Sequence, residues 1–343
     1  EPLILSIDSR LQMKAESLLV DKKGSIICMN PENGEIFAFV SSPDYDLSSF
    51  IGPIPNELWD QWNQNPEKPL INRGIQGTYP PGSIIKLISA AYALDNNIID
   101  ENWTVLCNGA YSYGDRTFHC WNIAGHDHVN ITKSIKYSCN IFYYKLIQKI
   151  GFENWSQIVS QFGFGKKTGI DIPGEKRGIV PTRKYMNDKY TSRGWGKGSL
   201  LNFVIGQGDM LATPQQVIQI MNLISTEGNS YEPHFKKGID SKPLNISLKK
   251  STWKFLKDAT YAVVNDNDGT GKNANSIFGK VGGKTGTAQN PHGEDHSWFS
   301  GYITLPNNNM MSIAVIVENG GKGSIAGAST ARELFNEFAK LNR

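Results

Sequence analysis

Strand-forming sequence lies at the two ends of this chain, and helix-forming sequence lies between them. Apolar residues at helical spacing (Leu11, Ala15, Leu18, Leu19) predict a first helix over 9–19. Residues 24–30 and 35–41 then predict two strands, joined as a hairpin by Asn30-Pro31-Glu32-Asn33-Gly34. Far along the chain, 279–289, 297–305 and 310–318 are again β-rich, and 328–341 predicts a closing helix. Helices are expected over 83–94, 131–150, 155–162, 214–226 and 248–265. Residues 43–78 read as a long loop with short helices, 100–130 as irregular, and 163–208 as Gly-rich loop. The simplest way to bury such a pattern is one antiparallel sheet built from both ends, flanked by helices and carrying a mostly helical insertion. That is an α/β protein of the α+β kind. It is expected to be a single domain over 1–343, with about 1–90 and 245–343 containing the sheet and about 91–244 mostly helical.

Composition removes some functions. The net charge is only +3, and the 35 basic residues are scattered, so no nucleic-acid partner is expected. No run approaches the ~20 apolar residues of a membrane-crossing helix. The sequence opens on Glu1-Pro2-Leu3 without an initiator Met and reads as a piece of a longer protein.

Three short elements carry chemistry. The first is Ser83-Ile84-Ile85-Lys86, following Pro80-Pro81-Gly82. Helical spacing puts Lys86 on the face of Ser83, where an amine can take the hydroxyl's proton. A lysine is a base only if burial or a second cation depresses its pKa, and Ile84, Ile85 and Leu87 would desolvate it. Free N–H groups at the helix start could bind an oxyanion. The pattern alone is weak, because Ser247–Lys250 and Ser251–Lys254 match it; those lie in a polar, lysine-rich stretch and read as a solvated face. The second element is Ser138-Cys139-Asn140. In isolation it is a polar turn before a helix; in a site, its hydroxyl and amide could relay a proton and hold a substrate amide. The third is Lys284-Thr285-Gly286-Thr287, on an expected strand. Alternation puts Lys284 and Gly286 on one face and Thr285 and Thr287 on the other. Gly286 gives a substrate room, and a lysine with two hydroxyls suits a carboxylate. A second Lys-Thr-Gly, at 167–169, lies in Gly-rich loop and reads as structural.

Three of the four cysteines fall near three histidines. Cys107, Cys120, His126 and Cys139 are separated by 12, 5 and 12 residues, which is not a zinc-finger spacing. Spacing leaves open unpaired thiols, zinc, or a Cys107–Cys120 disulfide. Cys28, on an expected strand, reads as core.

The ordered set of the three elements is the signature of penicillin-binding proteins and class A β-lactamases. The chain resembles the transpeptidase domain of class B penicillin-binding proteins along nearly its whole length. The match includes Ile7–Gln12, Pro31–Ile36, Asn72-Arg73-Gly74, Tyr79–Ser83, Gly206-Gln207-Gly208 with Ala212-Thr213-Pro214, and Lys284–Gln289. Cys120-Trp121, Gly125-His126 and Glu318-Asn319-Gly320-Gly321 make it most similar to the elongation branch, penicillin-binding protein 2.

The resemblance implies a D,D-transpeptidase that cross-links peptidoglycan stem peptides and is acylated by β-lactams. In that pattern Ser83 is the nucleophile, Lys86 the general base, and Ser138 and Lys284 share the proton network. Asn140 holds the acyl-side amide, Thr285 and Thr287 bind the terminal carboxylate, and the N–H groups of Ser83 and Thr287 form the oxyanion hole. It also implies an elongation complex with a membrane glycan polymerase, and a place at the periplasmic face of the inner membrane, with an anchor and a pedestal domain outside this sequence. Relatives of this branch can carry zinc on two aspartates, a histidine and a cysteine. The matching positions here are Cys107, Cys120, His126 and Cys139, with cysteine at both aspartate positions, so the resemblance favours structural Zn2+ on a Cys3His set. His119, Asp127 and His128 are the substitutes. Zinc there would pin the loop carrying Ser138 and Asn140. The alternatives are a β-lactamase or D,D-carboxypeptidase using water, a β-lactam-sensing receptor, and an inactive scaffold.

Overall fold

In a computed structural model, which describes residues 2–191, 194–290 and 293–342, strands from both ends of the sequence form one five-stranded antiparallel sheet. The strands are β1 (Gly24–Met29), β2 (Ile36–Ser42), β3 (Lys280–Ala288), β4 (His296–Thr304) and β5 (Met310–Val317), in spatial order β2-β1-β5-β4-β3. The first hairpin therefore docks on the last strand, with Gly24 opposite Val317 and Met29 opposite Ser312. β1 and β5 are buried almost throughout, as central strands covered on both faces must be. β3 is left at the edge.

Helices that frame this sheet and the lobe beside it include α1 (Ser9–Leu18), α2 (Lys86–Asp95), α3 (Ile131–Lys136), α4 (Asn140–Ile150), α5 (Pro214–Ser225), α6 (Lys250–Asn265) and α7 (Ala326–Leu341). α1 and α7 pack together against the sheet; α5 lies against β4 and β5, and α6 against β3. Every residue of α5 is buried, and the helix opens on a Thr213/Gln216 capping box with Pro214 at its first turn. α2, α4 and the helix Phe152–Gln161 build the second lobe around Phe142, Tyr143 and Trp155.

Four expectations about local structure are corrected. The helix expected from Ser83 begins only at Lys86, and Gly82–Ile85 is a 3-10 turn. The helix expected over 131–150 is broken at Tyr137–Cys139. The segment 100–130 is not irregular but holds two small hairpin-like sheets, Val105–Cys107 with Asp127–Val129 and Ala110–Tyr113 with Arg116–His119. The Gly-rich stretch 163–208 contains helices Arg183–Lys189 and Ser199–Val204.

Candidate active site

The break between α3 and α4 makes the site. Cys139 N–H bonds Ser134 O at 3.0 Å and Ser138 N–H bonds Ile135 O at 3.3 Å, the paired bonds of a Schellman helix stop. Its left-handed position belongs to Ser138, at φ 56°, where glycine is usual. That turn brings the Ser138 carbonyl and the Asn140 side chain to one point. Lys86 Nζ donates to Ser138 O at 2.8 Å and to Asn140 Oδ1 at 2.7 Å, and lies 3.4 Å from Ser138 Oγ. It also sits over the Tyr143 ring, 5.3 Å from its centre.

Lys86 is completely buried, and burial pulls its pKa down to about 8. Ser83 lies in the 3-10 turn immediately before it, and Lys86 N–H bonds Ser83 O. Side chains three apart on a 3-10 turn eclipse, so Ser83 and Lys86 share one face of the turn.

The edge strand closes the other side. Lys284 is completely buried, its Nζ donating to Thr285 O at 3.1 Å. Burial, and then the charge of Lys86, push its pKa well below the lysine range. A Cβ on Gly286 would lie 3.0 Å from Pro81 O and 3.3 Å from Ile84, so glycine there lets the strand approach the turn that carries Ser83. A Cβ on Gly82 (φ 57°) would lie 2.9–3.2 Å from the backbone of Thr287. Thr285 and Thr287 face away from Lys284 and Gly286 along the strand; Thr285 is buried, and Thr287 Oγ1 is 3.5 Å from Gly323 N–H. The site residues thus assemble, but these two hydroxyls are not aimed along the direction of the lysine.

Several contributors carry no local motif. Gln207 donates to Thr287 O at 2.9 Å, and Trp298 Nε1 donates to Pro80 O at 3.1 Å. Glu318 Oε1 accepts from Arg73 Nε at 2.8 Å and from Tyr79 OH at 2.6 Å, tying the lead-in to Ser83 to the end of β5. The segments around Arg73, Gln207 and Glu318 are among those that carry the family resemblance, yet only folding shows what they touch.

Cys107, Cys120, His126 and Cys139 converge, their ligand atoms all within 4.8 Å of one another. Sγ of Cys107 and of Cys120 are each 3.5 Å from His126 Nδ1. A tetrahedral ion with Zn–S of about 2.3 Å and Zn–N of about 2.0 Å requires an S···N separation of about 3.5 Å, so the donor set fits zinc. His119, Asp127 and His128 lie outside this group. All four cysteines are free thiols, so the disulfide alternative is not present. Hydrogen bonds from Cys139, from His126 and from Asn140 N–H hold the Cys120 thiol well below its ordinary range, against the effect of burial. His126 is fixed by stacking on Tyr137, ring centres 5.8 Å apart. Cys28 is buried in β1 and its thiol is pushed far up by burial, as a core residue should be.

Comparison with known proteins agrees with this geometry. The family model described as penicillin binding protein transpeptidase domain matches residues 24–340. A Haemophilus influenzae protein named peptidoglycan D,D-transpeptidase MrdA is 32% identical over 97% of this chain and 56% of its own length. The chain therefore spans about half the length of the curated relatives it matches. The crystal structure of Pseudomonas aeruginosa PBP2 in complex with WCK 5153 superposes with a TM-score of 0.91 at 33% identity, covering 98% of this chain and 75% of that one. A Helicobacter pylori complex between PBP2 and MreC gives 0.92 at 33% identity, covering 99% and 64%. The chain belongs to the penicillin-binding protein transpeptidase domain family.

Proposed function

We propose that this chain is the catalytic domain of a peptidoglycan D,D-transpeptidase of the cell-wall elongation type. The observation that carries the reading is the buried Lys86 amine, depressed to about 8 and held by Ser138 and Asn140 one turn after Ser83. Ser83 Oγ attacks the carbonyl carbon of the D-Ala–D-Ala bond while Lys86 Nζ takes its proton. The oxyanion receives hydrogen bonds from the N–H groups of Ser83 and Thr287. As the C–N bond breaks, the departing D-Ala amine takes a proton through Ser138 within the Lys86–Lys284 network, leaving an ester on Ser83. An amine of a neighbouring stem peptide attacks that ester, forming the cross-link and restoring Ser83. Asn140 holds the acyl-side amide. Thr285 and Thr287, with Gly286 giving clearance, receive the terminal carboxylate. β-Lactams acylate Ser83 as mimics of the donor peptide.

The same reading assigns a structural Zn2+ to Cys107, Cys120, His126 and Cys139, where it would supply a rigid tetrahedral anchor. Cys139 lies between Ser138 and Asn140, and Cys120 Sγ accepts from Asn140 N–H at 3.4 Å. Holding these thiolates therefore holds the two groups that bond Lys86. The partners are stem peptides and an elongation complex with a membrane glycan polymerase; the solved MreC complex of the Helicobacter pylori relative supports that setting. The working place is the periplasmic face of the inner membrane.

Intact-mass analysis after penicillin treatment, with metal content measured on the same sample, tests both. One penicillin added, absent in Ser83→Ala and persisting for long periods, together with one zinc per chain, is the expected result. Rapid loss of the adduct with hydrolysed penicillin accumulating would identify a β-lactamase instead.

A further inference from the structure

β3 ends one side of the sheet, so among the described residues its outward N–H and C=O groups have no neighbouring strand. At Thr287 and Gln289 those groups meet a single side chain. Gln207 Nε2 donates to Thr287 O at 2.9 Å, and Gln207 Oε1 accepts from Gln289 N–H at 3.3 Å. One amide bonded to a carbonyl and to the N–H two residues on reproduces the contacts of a paired strand residue. The same loop also grips the nucleophile's turn: Gly82 N–H bonds Gly206 O at 3.0 Å. A Cβ on Gly206 would lie 2.2 Å from Gly82 O, so only glycine permits this approach. The loop thus touches both backbone segments whose N–H groups converge on the oxyanion.

We propose that Gln207 is a positioning residue, a surrogate strand that holds Thr287 against Gly82–Ser83 and so fixes the spacing of the two oxyanion-hole donors. The inference deepens the transpeptidase reading and rests on it. Oxyanion donors act only when aimed within hydrogen-bond reach of the developing charge. An edge strand free to shift by a fraction of an ångström loses that aim without losing its fold.

The test compares acylation by benzylpenicillin in the whole chain, in Gln207→Ala and in Gln207→Glu, with the preacylation dissociation constant separated from the acylation rate constant. Thermal unfolding is followed in parallel. The glutamate keeps the volume of glutamine and the bond from Gln289 N–H, but turns an acceptor toward the Thr287 carbonyl. Both variants are expected to lose on the order of tenfold to a hundredfold in the acylation rate constant, with the dissociation constant little changed. The deficit of Gln207→Glu relative to wild type should shrink toward pH 5, where a protonated carboxyl donates to Thr287 again. A packing role would instead be restored by the isosteric glutamate at every pH. Wild-type acylation rates in Gln207→Glu, or losses that only track unfolding, would overturn the assignment. No acylation of the wild-type chain would overturn the transpeptidase reading itself.

Discussion

Raising the pH should accelerate acylation of Ser83, and the size of the effect follows from the surroundings of Lys86. A neutral amine has two N–H groups and one lone pair. At Lys86, Ser138 O at 2.8 Å and Asn140 Oδ1 at 2.7 Å take both N–H groups of the neutral amine, which leaves its lone pair on the side of Ser138 Oγ, 3.4 Å away, to receive a proton. An ordinary lysine at 10.5 is neutral about once in three thousand at pH 7; at a pKa of about 8 it is neutral about once in ten. Burial thus raises the competent fraction about 300-fold, on the order of 3 kcal/mol. Because the working form is the deprotonated one, the second-order rate constant for a fluorescent penicillin should rise about 50-fold from pH 6 to pH 8 and level off above. Lys86→Met should cost on the order of a thousandfold and flatten the profile. A flat wild-type profile between pH 6 and pH 9, or one that falls, would refute Lys86 as the base.

Chelation of the metal, or Cys139→Ser with loss of zinc verified, should slow acylation of Ser83 while the adduct still forms at the same residue; unchanged rates after complete metal loss would remove zinc from the mechanism. Ser138→Gly should stabilise the fold by about 1 kcal/mol in urea unfolding, because glycine suits the left-handed helix stop, yet should acylate more slowly for want of the hydroxyl. Glu318→Ala leaves the buried Arg73 guanidinium without its carboxylate and should cost about 3 kcal/mol by denaturant titration; a loss under 1 kcal/mol would show the pair to be incidental.

The sheet was readable because apolar strands and helices at both ends leave few ways to bury themselves. The false copies of the motifs were readable for related reasons. Ser247–Lys250 and Ser251–Lys254 run into the exposed start of α6, where Lys254 pairs with Asp258 in water. The Lys167-Thr168-Gly169 copy is a turn whose Thr168 N–H and hydroxyl and Gly169 N–H all bond the buried Glu175. The break after α3 was hidden because a serine occupies the stop that a glycine would advertise. The 3-10 turn at Ser83 was hidden because its residues suit either helix. Tyr79 and Glu318 are 239 residues apart, and no local pattern announces such a pair. The zinc-fitting cluster is an intermediate case, since its four residues were visible but their convergence needed the small hairpins and the α3–α4 break.

The placement of β5 between β1 and β4 also sets a timetable. Ser312 Oγ bonds Met29 O across 283 residues, so the first hairpin keeps a bare edge until β5 has been made. During synthesis, Ser83, Lys86 and Ser138 emerge long before the strand bearing Lys284, and that strand joins the sheet through β4 and β5. Contacts this distant in sequence make folding slow and leave strand edges exposed meanwhile. A chain truncated before Met310 would carry Ser83, Lys86 and the Lys284 strand, yet have no central strand to hold them in one site. Ser83 thus meets Lys284 only after β1 and β5 have paired.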